Sequence, residues 1–348
     1  MREKLGELSP LMLASFLVQA SNAAITTMIG IVIAQRGGEQ SDVSLIAACY
    51  ALGFVFGCFA APSQIFRVGL IRAYAAAAAV VTMAIVGLEL LEGTLLWAFL
   101  RFMMGASIAA VLAISDAWMN SNTPGDLRGR VIAIYSIVLG VGSLASQMIF
   151  LVADAETEDL VLMFAIVMNL AVVLVALTSS SPPTIEAPSE KQFRILTITS
   201  KTASIGAFVS GFAVVSIISI LPFYLTEHGV AGELVAMSLA TLYLGRLIFQ
   251  WPVGSLSDRL DRRTVLVALA AVVAAQMVLM ILVGTDDGNI FSGANGPLMQ
   301  GGAFLFVLLL GGMLFPIYSV ASSLAFDRAE GRSMIDISTS LLVLSLIH

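Results

Sequence analysis

Ten apolar runs, each close to the length needed to cross a hydrocarbon core, follow one another along this chain. They cover about residues 8–34, 43–66, 73–88, 94–118, 131–153, 160–178, 202–226, 234–257, 264–284 and 301–326. A helix needs about 20 apolar residues to span the bilayer core, because it rises about 1.5 Å per residue. Hydrophobic residues make up 59% of the chain and charged residues only 11%, too few charges for a water-soluble surface. The pattern predicts an all-α polytopic membrane protein.

The first and last apolar runs differ in length from a typical span. The first run is too long for the core of a cleaved signal and lacks a small-residue cleavage site, so we expect an uncleaved first span. An eleventh run begins near Ile335, and the sequence ends at His348. The roughly 13 residues between them are too few to span a bilayer. We therefore expect a C-terminally truncated chain that stops within span 11.

Basic residues are distributed unevenly over the turns between the runs, and this predicts an orientation. The N-terminal tail and the even-numbered turns hold 14 of the 17 Lys and Arg, whereas the odd-numbered turns hold only Arg36. Positive charge is retained on the cytoplasmic side of a membrane, so we expect the N-terminus in the cytoplasm. The net charge of −6 comes without a basic face, so nucleic acid is not an expected partner.

The chain contains an internal duplication. The turn GSLSDRLDRRT at 254–264 has a weaker copy, PSQIFRVGLIR, at 62–72, which lies 192 positions earlier. The polar, Pro-rich stretch 179–200 is typical of a linker. The sequence predicts an N-terminal six-span bundle at 1–178, a cytoplasmic linker at 179–200 and an incomplete C-terminal bundle at 201–348. Two like-oriented halves of this kind match transporters that rock about a solute site between their halves.

The turn at 254–264 resembles the cytoplasmic signature loop of the major facilitator superfamily. That loop has Gly, three residues, Asp-Arg, any residue, Gly and two basic residues. Here the second Gly is Asp261, and the other positions match: Gly254, Asp258, Arg259, Arg262 and Arg263. In the N-terminal copy, Phe66 stands where the loop has Asp, while Arg67 and Arg72 remain.

Two further stretches resemble the same superfamily. Arg101-Phe-Met-Met-Gly105 resembles its intramembrane Arg-x-x-x-Gly motif, and residues 116–135 with QWPVG at 250–254 are similar to its YcaD-like bacterial branch. The resemblance implies a twelve-span secondary transporter with two pseudo-symmetric six-helix bundles, the second incomplete here. It also implies a monomer in the bacterial inner membrane that moves a small-molecule solute without a cofactor. We expect alternating access, proton coupling and export, with a facilitated uptake carrier or a non-transporting receptor or scaffold as alternatives.

Two arginines lie inside predicted spans, where an unpaired charge costs about 2.5–3.5 kcal/mol even on insertion scales. Arg101 in span 4 either faces a central cavity, where it tunes proton coupling or contacts an anionic group, or bonds neighbouring carbonyls structurally. Arg246 in span 8 either binds the solute or pairs with a polar group between helices. Both are predicted intramembrane charge or coupling residues.

Charges at the inner rim are candidates for a cytoplasmic latch that holds the two halves together when the transporter is open outward. Surface ion pairs of about 0–1 kcal/mol suit a reversible latch. Asp116 near the inner end of span 4 is expected to pair with Arg67 or Arg72, or else to be a plain surface acid. By the resemblance, Asp258 caps the start of span 5, and Asp336 pairs with Arg67 in place of the Asp lost at Phe66. Alternatively, Asp336 only stabilises a helix start, and the cluster only fixes topology. The remaining predicted members are Arg259, Arg262 and Arg263.

Polar residues within the spans predict the lining of a solute cavity. Gln19, Asn22 and Thr26 share one face of span 1, because they are three or four residues apart. The other candidates are Gln147 in span 5 and Tyr224 in span 7. Each of these side chains could equally join helices through hydrogen bonds. Gly53-x-x-x-Gly57 in span 2 is the pattern of a close helix–helix contact.

The sequence lacks the features of several other protein classes. It has no Gly-Lys-Ser/Thr phosphate-binding loop, no His-Glu-x-x-His and no cysteine ligand set, so neither ATP hydrolysis nor a metal site is expected. No nucleophile and base are suitably spaced, so the chain is not expected to be an enzyme.

Overall fold

The computed structural model describes residues 2–123, 128–152, 157–178, 201–283 and 297–327. These ranges contain α-helices and no strand. The helices are α1 (Arg2–Gln35), α2 (Gln40–Val68), α3 (Leu70–Leu90), α4 (Thr94–Ser121), α5 (Arg128–Val152), α6 (Thr157–Ala176), α7 (Lys201–Glu227), α8 (Gly232–Arg259), α9 (Arg262–Val283) and α10 (Pro297–Asp327).

All ten described helices are long and apolar enough to span a membrane, which confirms the ten spans predicted from the sequence. A helix satisfies its backbone hydrogen bonds internally, so it is the element expected where the surroundings offer no water. The predicted linker at 179–200 and the eleventh run from Ile335 to His348 lie outside the described residues.

The helices form two compact units. Unit 1 comprises residues 1–28, 44–149 and 153–189, and unit 2 comprises 29–43, 150–152 and 190–348. Unit 1 thus contains α3, α4, α6, nearly all of α2 and α5 and most of α1, and unit 2 contains α7 to α10.

Apolar side chains cover both the interior and much of the outer surface of each unit. In unit 1, Trp118, Tyr74 and Phe164 are completely buried. In unit 2, Phe223, Leu239 and Leu242 are equally buried. Large apolar side chains are also exposed along the helices, for example Leu95, Leu177 and Ile281. A soluble protein would expose such a surface to water, whereas a membrane protein places it against lipid.

In unit 1, α2 and α4 approach so closely that their backbones touch. A Cβ atom on Gly53 would overlap the carbonyl oxygen of Phe102, and one on Gly105 would overlap that of Tyr50. Gly57 faces the carbonyl of Ala106 in the same way. Small residues allow helices in lipid to pack at this distance, so the close-packing role expected of Gly53 and Gly57 is confirmed.

Unit 2 repeats this contact between α8 and α10. A Cβ on Gly245 would overlap the carbonyl oxygen of Leu308, and one on Gly311 would overlap that of Leu242. The α8 residues lie 192 positions after their α2 counterparts, the offset that relates the two charged turns. The α10 residues lie 206 positions after their α4 counterparts. The contact atoms therefore coincide residue for residue, and the duplication extends to the backbone packing of the second and fourth helix of each unit.

Candidate functional site

Arg101 of α4 lies at the centre of a polar cluster inside unit 1. Its Nη2 donates to Oγ1 of Thr26 on α1 at 3.1 Å, and its Cζ lies 4.1 Å from the ring centroid of Tyr50 on α2. The Tyr50 hydroxyl donates to Oδ1 of Asn22 at 3.1 Å. We call these four residues the Arg101 cluster. It joins α1, α2 and α4, and it brings three predicted site residues together.

The charged centre of the Arg101 cluster is closed to its surroundings, since Arg101, Tyr50 and Thr26 are buried and only Asn22 is half-buried. The side chain of Arg101 is 2% exposed, and its Nε has no hydrogen-bond partner. Within the described part of the chain, no carboxylate pairs with this guanidinium, whose Nη1 contacts only Sδ of Met104 at 4.0 Å. The ring of Tyr50 and the hydroxyl of Thr26 thus compensate its charge in place of an acid. A desolvated cation–π contact contributes about 2 kcal/mol or more.

The two predicted glutamines connect α1 to α5. Nε2 of Gln19 donates to Oγ of Ser143 at 3.1 Å, and Thr27 Oγ1 donates to Oε1 of Gln147 at 3.2 Å. Gln147 is completely buried. Both side chains take part in helix-joining hydrogen bonds in this structure, as polar residues inside spans commonly do.

Asp116 lies near the end of α4, in a polar region that contains three hydroxyl groups. Its carboxylate is next to the hydroxyl of Tyr135 on α5, which also neighbours Ser15 on α1 and Tyr74 on α3. The hydroxyls of Tyr74 and Tyr135 are buried, and neither has a hydrogen bond of standard geometry with a described residue. Asp116 is therefore part of a polar cluster within unit 1, and Arg67 and Arg72 are exposed.

Arg246 lies in the middle of α8, about 20 Å from Gly232 and about 20 Å from Arg259 at ~1.5 Å per residue. Its Cζ lies 5.0 Å from the ring centroid of Phe315 on α10. One turn further along both helices, Nε2 of Gln250 donates to Oγ of Ser319 at 2.6 Å. We call Arg246, Phe315, Gln250 and Ser319 the Arg246 cluster.

The Arg246 cluster is open where the Arg101 cluster is closed. Arg246, Gln250 and Ser319 are all half-buried rather than buried. Among the residues that the structure describes, none forms a hydrogen bond or ion pair with the Arg246 guanidinium, Tyr243 lies near it, and its nitrogens keep some exposed surface. This side chain can therefore form up to five further hydrogen bonds.

The remaining predicted site residues lie at helix ends. Asp258 is exposed and pairs with Arg262 across the α8–α9 turn, with Oδ1 and Nη2 3.3 Å apart. Arg259 and Arg263 are exposed, and Asp336 lies outside the described residues. Tyr224 near the end of α7 packs its ring 4.3 Å from that of His228.

Sequence reasoning missed the aromatic partners of both arginines. Tyr50 and Phe315 each lie on the helix that packs against the arginine's own helix. The signal was the glycine pattern of α2 combined with the duplication, because together they indicate which helices touch. Among the described residues, no group of His, Cys, Asp and Glu could hold a metal ion.

Comparison with known proteins gives consistent results. The uncharacterised MFS-type transporter YcaD of Escherichia coli strain 536 is 26% identical over 326 residues, which cover 92% of this chain and 80% of that protein. The YcaD protein of Shigella sonnei is also 26% identical, over 333 residues and with the same shares.

Solved structures share the fold at low identity. A bacterial homologue of the human lysosomal transporter Spinster, in an inward-facing conformation, has a TM-score of 0.71 at 18% identity, covering 99% of this chain and 80% of that one. The nucleoside transporter NupG has a TM-score of 0.73 at 10% identity, covering 100% and 88%. A D-xylose–proton symporter has a TM-score of 0.70 at 13% identity, covering 98% and 88%.

The family model of the Major Facilitator Superfamily matches residues 11–344, nearly the whole chain. The ten apolar helices and the duplicated helix contacts agree with that match. This chain is a multi-pass membrane protein that belongs to the Major Facilitator Superfamily.

Proposed function

We propose that this protein moves a small solute across the bacterial inner membrane by alternating access, driven by the proton gradient and in the direction of export. The observation that carries the proposal is the family match over residues 11–344, because members of this superfamily are secondary transporters and not enzymes. The N-terminus and the even-numbered turns lie in the cytoplasm in this proposal, in line with the distribution of Lys and Arg.

Asp116 supports the proton-coupled part of the proposal. A carboxylate within a membrane span is costly, and in transporters such groups often take part in proton relays. The hydroxyl of Tyr135 lies next to this carboxylate and can bond to it in either protonation state, and Tyr74 and Ser15 neighbour Tyr135 in turn. Arg101 contributes to coupling as a positioning residue, because its contacts hold α1, α2 and α4 together.

The charged turns act in this proposal as the latch for the outward-open state. The latch consists of Arg67, Arg72, Asp116, Asp258, Arg259, Arg262, Arg263 and Asp336. The exposed Asp258–Arg262 pair is of the weak, reversible kind that a latch requires. The Asp residues at defined positions of the charged turns support a latch function, because membrane topology alone depends on Lys and Arg.

The proposal is tested by a sensitivity and metabolite-accumulation screen, followed by flux measurements on proteoliposomes. Cells that express the protein are compared with cells that express Arg101→Ala, and solutes that differ between them are tested in liposomes with and without an imposed pH gradient. Flux that needs the gradient and moves the solute out of the cytoplasm supports the proposal. Flux without the gradient indicates a facilitated carrier, and no flux for any solute overturns transport in favour of a receptor or scaffold.

A further inference from the structure

We propose that the solute carries a single carboxylate and that the guanidinium of Arg246 binds it. This inference rests on the proposed transport function and names the chemical class of the solute. Arg246 lies midway along a span, where a cation without a partner is costly, and no described residue provides a bonded acid. An anion from outside the protein can supply the missing partner.

The surroundings of Arg246 are organised for such an anion. The ring of Phe315 supports one face of the guanidinium, which leaves the donors at its edge for a planar acceptor. A carboxylate accepts two parallel hydrogen bonds from that edge. Gln250 and Ser319 lie one turn away, and their mutual hydrogen bond fixes both side chains next to the site.

A proline lies inside each of the two helices at this level. Pro316 follows Phe315 in α10, and Pro252 follows Gln250 by two residues in α8. A proline has no N–H, so it leaves the carbonyl of the residue four positions earlier without its helical donor. A carbonyl freed in this way accepts hydrogen bonds, so it can bond water or a donor group of the solute but not its carboxylate. At the equivalent positions of unit 1 the chain has Ala60 and Ala110, so only the Arg246 cluster has this feature.

The number of charges determines the class of anion. The Arg246 cluster and the adjacent Tyr243 together contain one cation, one amide and two hydroxyls, and this single positive charge matches a monocarboxylate better than a phosphate with its higher charge. The rings of Phe315 and Tyr243 pack together beside Arg246, so the remainder of the solute is expected to be largely apolar. Benzoate and octanoate represent this class, and benzamide is the uncharged match of benzoate.

The inference is tested by binding to the purified chain, which does not depend on transport. A ligand that binds the folded state raises the melting temperature in a saturable way. Benzoate or octanoate is expected to do so at millimolar concentration, and benzamide is not. Arg246→Gln is expected to raise the Kd for the carboxylate about tenfold or more. Arg246→Lys, which keeps the charge but not the planar fork, should give an intermediate value.

Arg36→Gln is the matched control, because it removes the same charge from an exposed turn. Its carboxylate affinity should equal that of the unchanged chain. An equal response to benzamide and benzoate, an unchanged Kd in Arg246→Gln, or no saturable shift with either carboxylate overturns the inference. If Arg246→Gln does not fold, equal binding by Arg246→Lys and the unchanged chain overturns it. Flux of a neutral solute that is insensitive to Arg246→Gln also overturns it and leaves the transport proposal standing.

Discussion

The α2–α4 pair of unit 1 and the α8–α10 pair of unit 2 have the same backbone contacts and different chemistry. Gly53 and Gly245 each face a carbonyl of the partner helix, as do Gly105 and Gly311. Each pair carries one intramembrane arginine stacked on an aromatic ring of the partner helix. The arginine is on the fourth helix of unit 1 but on the second helix of unit 2. The duplication thus preserved a scaffold while the polar residues on it diverged.

The positions equivalent to each cluster show how complete the divergence is. The counterparts of the Arg101 cluster in unit 2 are all apolar: Val307, Leu242, Val214 and Ile218. The counterparts of the Arg246 cluster in unit 1 lack charge as well: Phe54, Ala109, Cys58 and Ala113. Each unit therefore contains one intramembrane arginine cluster, closed in unit 1 and open in unit 2. A closed cluster fixes helices, whereas an open one can bind a solute.

The largest expected effect concerns the glycine–carbonyl contacts that the two helix pairs share. Gly311→Ala places a Cβ against the carbonyl of Leu242, so α8 and α10 must separate. Gly302→Ala is the matched control on the same helix, because a Cβ there meets nothing within 4 Å. Overpacking of this kind costs about 1–3 kcal/mol. We expect Gly311→Ala to lower the melting temperature clearly and Gly302→Ala to leave it unchanged. Equal melting temperatures of the two variants would contradict the close contact between α8 and α10.

The next effect concerns how the closed cluster compensates its charge. Tyr50→Leu removes both the ring beneath Arg101 and the hydroxyl bonded to Asn22, whereas Tyr50→Phe removes only the hydroxyl. We expect Tyr50→Leu to lower the free energy of unfolding by about 2–4 kcal/mol. Tyr50→Phe should cost about 0.5–1.5 kcal/mol. Equal losses, measured by thermal unfolding of both variants, would show that the ring does not stabilise the guanidinium.

The smallest expected effect concerns the charged turns, which lie outside both pairs. Arg67→Asp and Asp336→Arg are each expected to lower transport, and the double reversal is expected to restore it. The change in stability should be within about 1 kcal/mol, as for exposed ion pairs. Flux in proteoliposomes measures the recovery. Failure of the double variant to exceed either single variant would count against the pairing.

Most of the fold could be predicted from the sequence, because the length, composition and flanking charges of each span are local properties of the chain. Run length and composition predicted ten spans, and the charged turns at 62–72 and 254–264 predicted the duplication. The contacts of Arg101 and Arg246 could not be predicted from the sequence, because these contacts depend on which faces of the helices pack against each other. Asn22 and Thr26 were predicted to share a face and do contact one cluster, yet the ring of Tyr50 comes from another helix.

The most direct test of the account is the reaction of cysteines placed at the two arginines. Arg101→Cys and Arg246→Cys are introduced separately into a chain in which Cys49 and Cys58 are replaced by Ser. A charged, water-soluble thiol reagent is then applied to membranes opened on both sides. Labelling is expected to be rapid at position 246 and slow at position 101. Equal labelling at both positions, or faster labelling at 101, would contradict it.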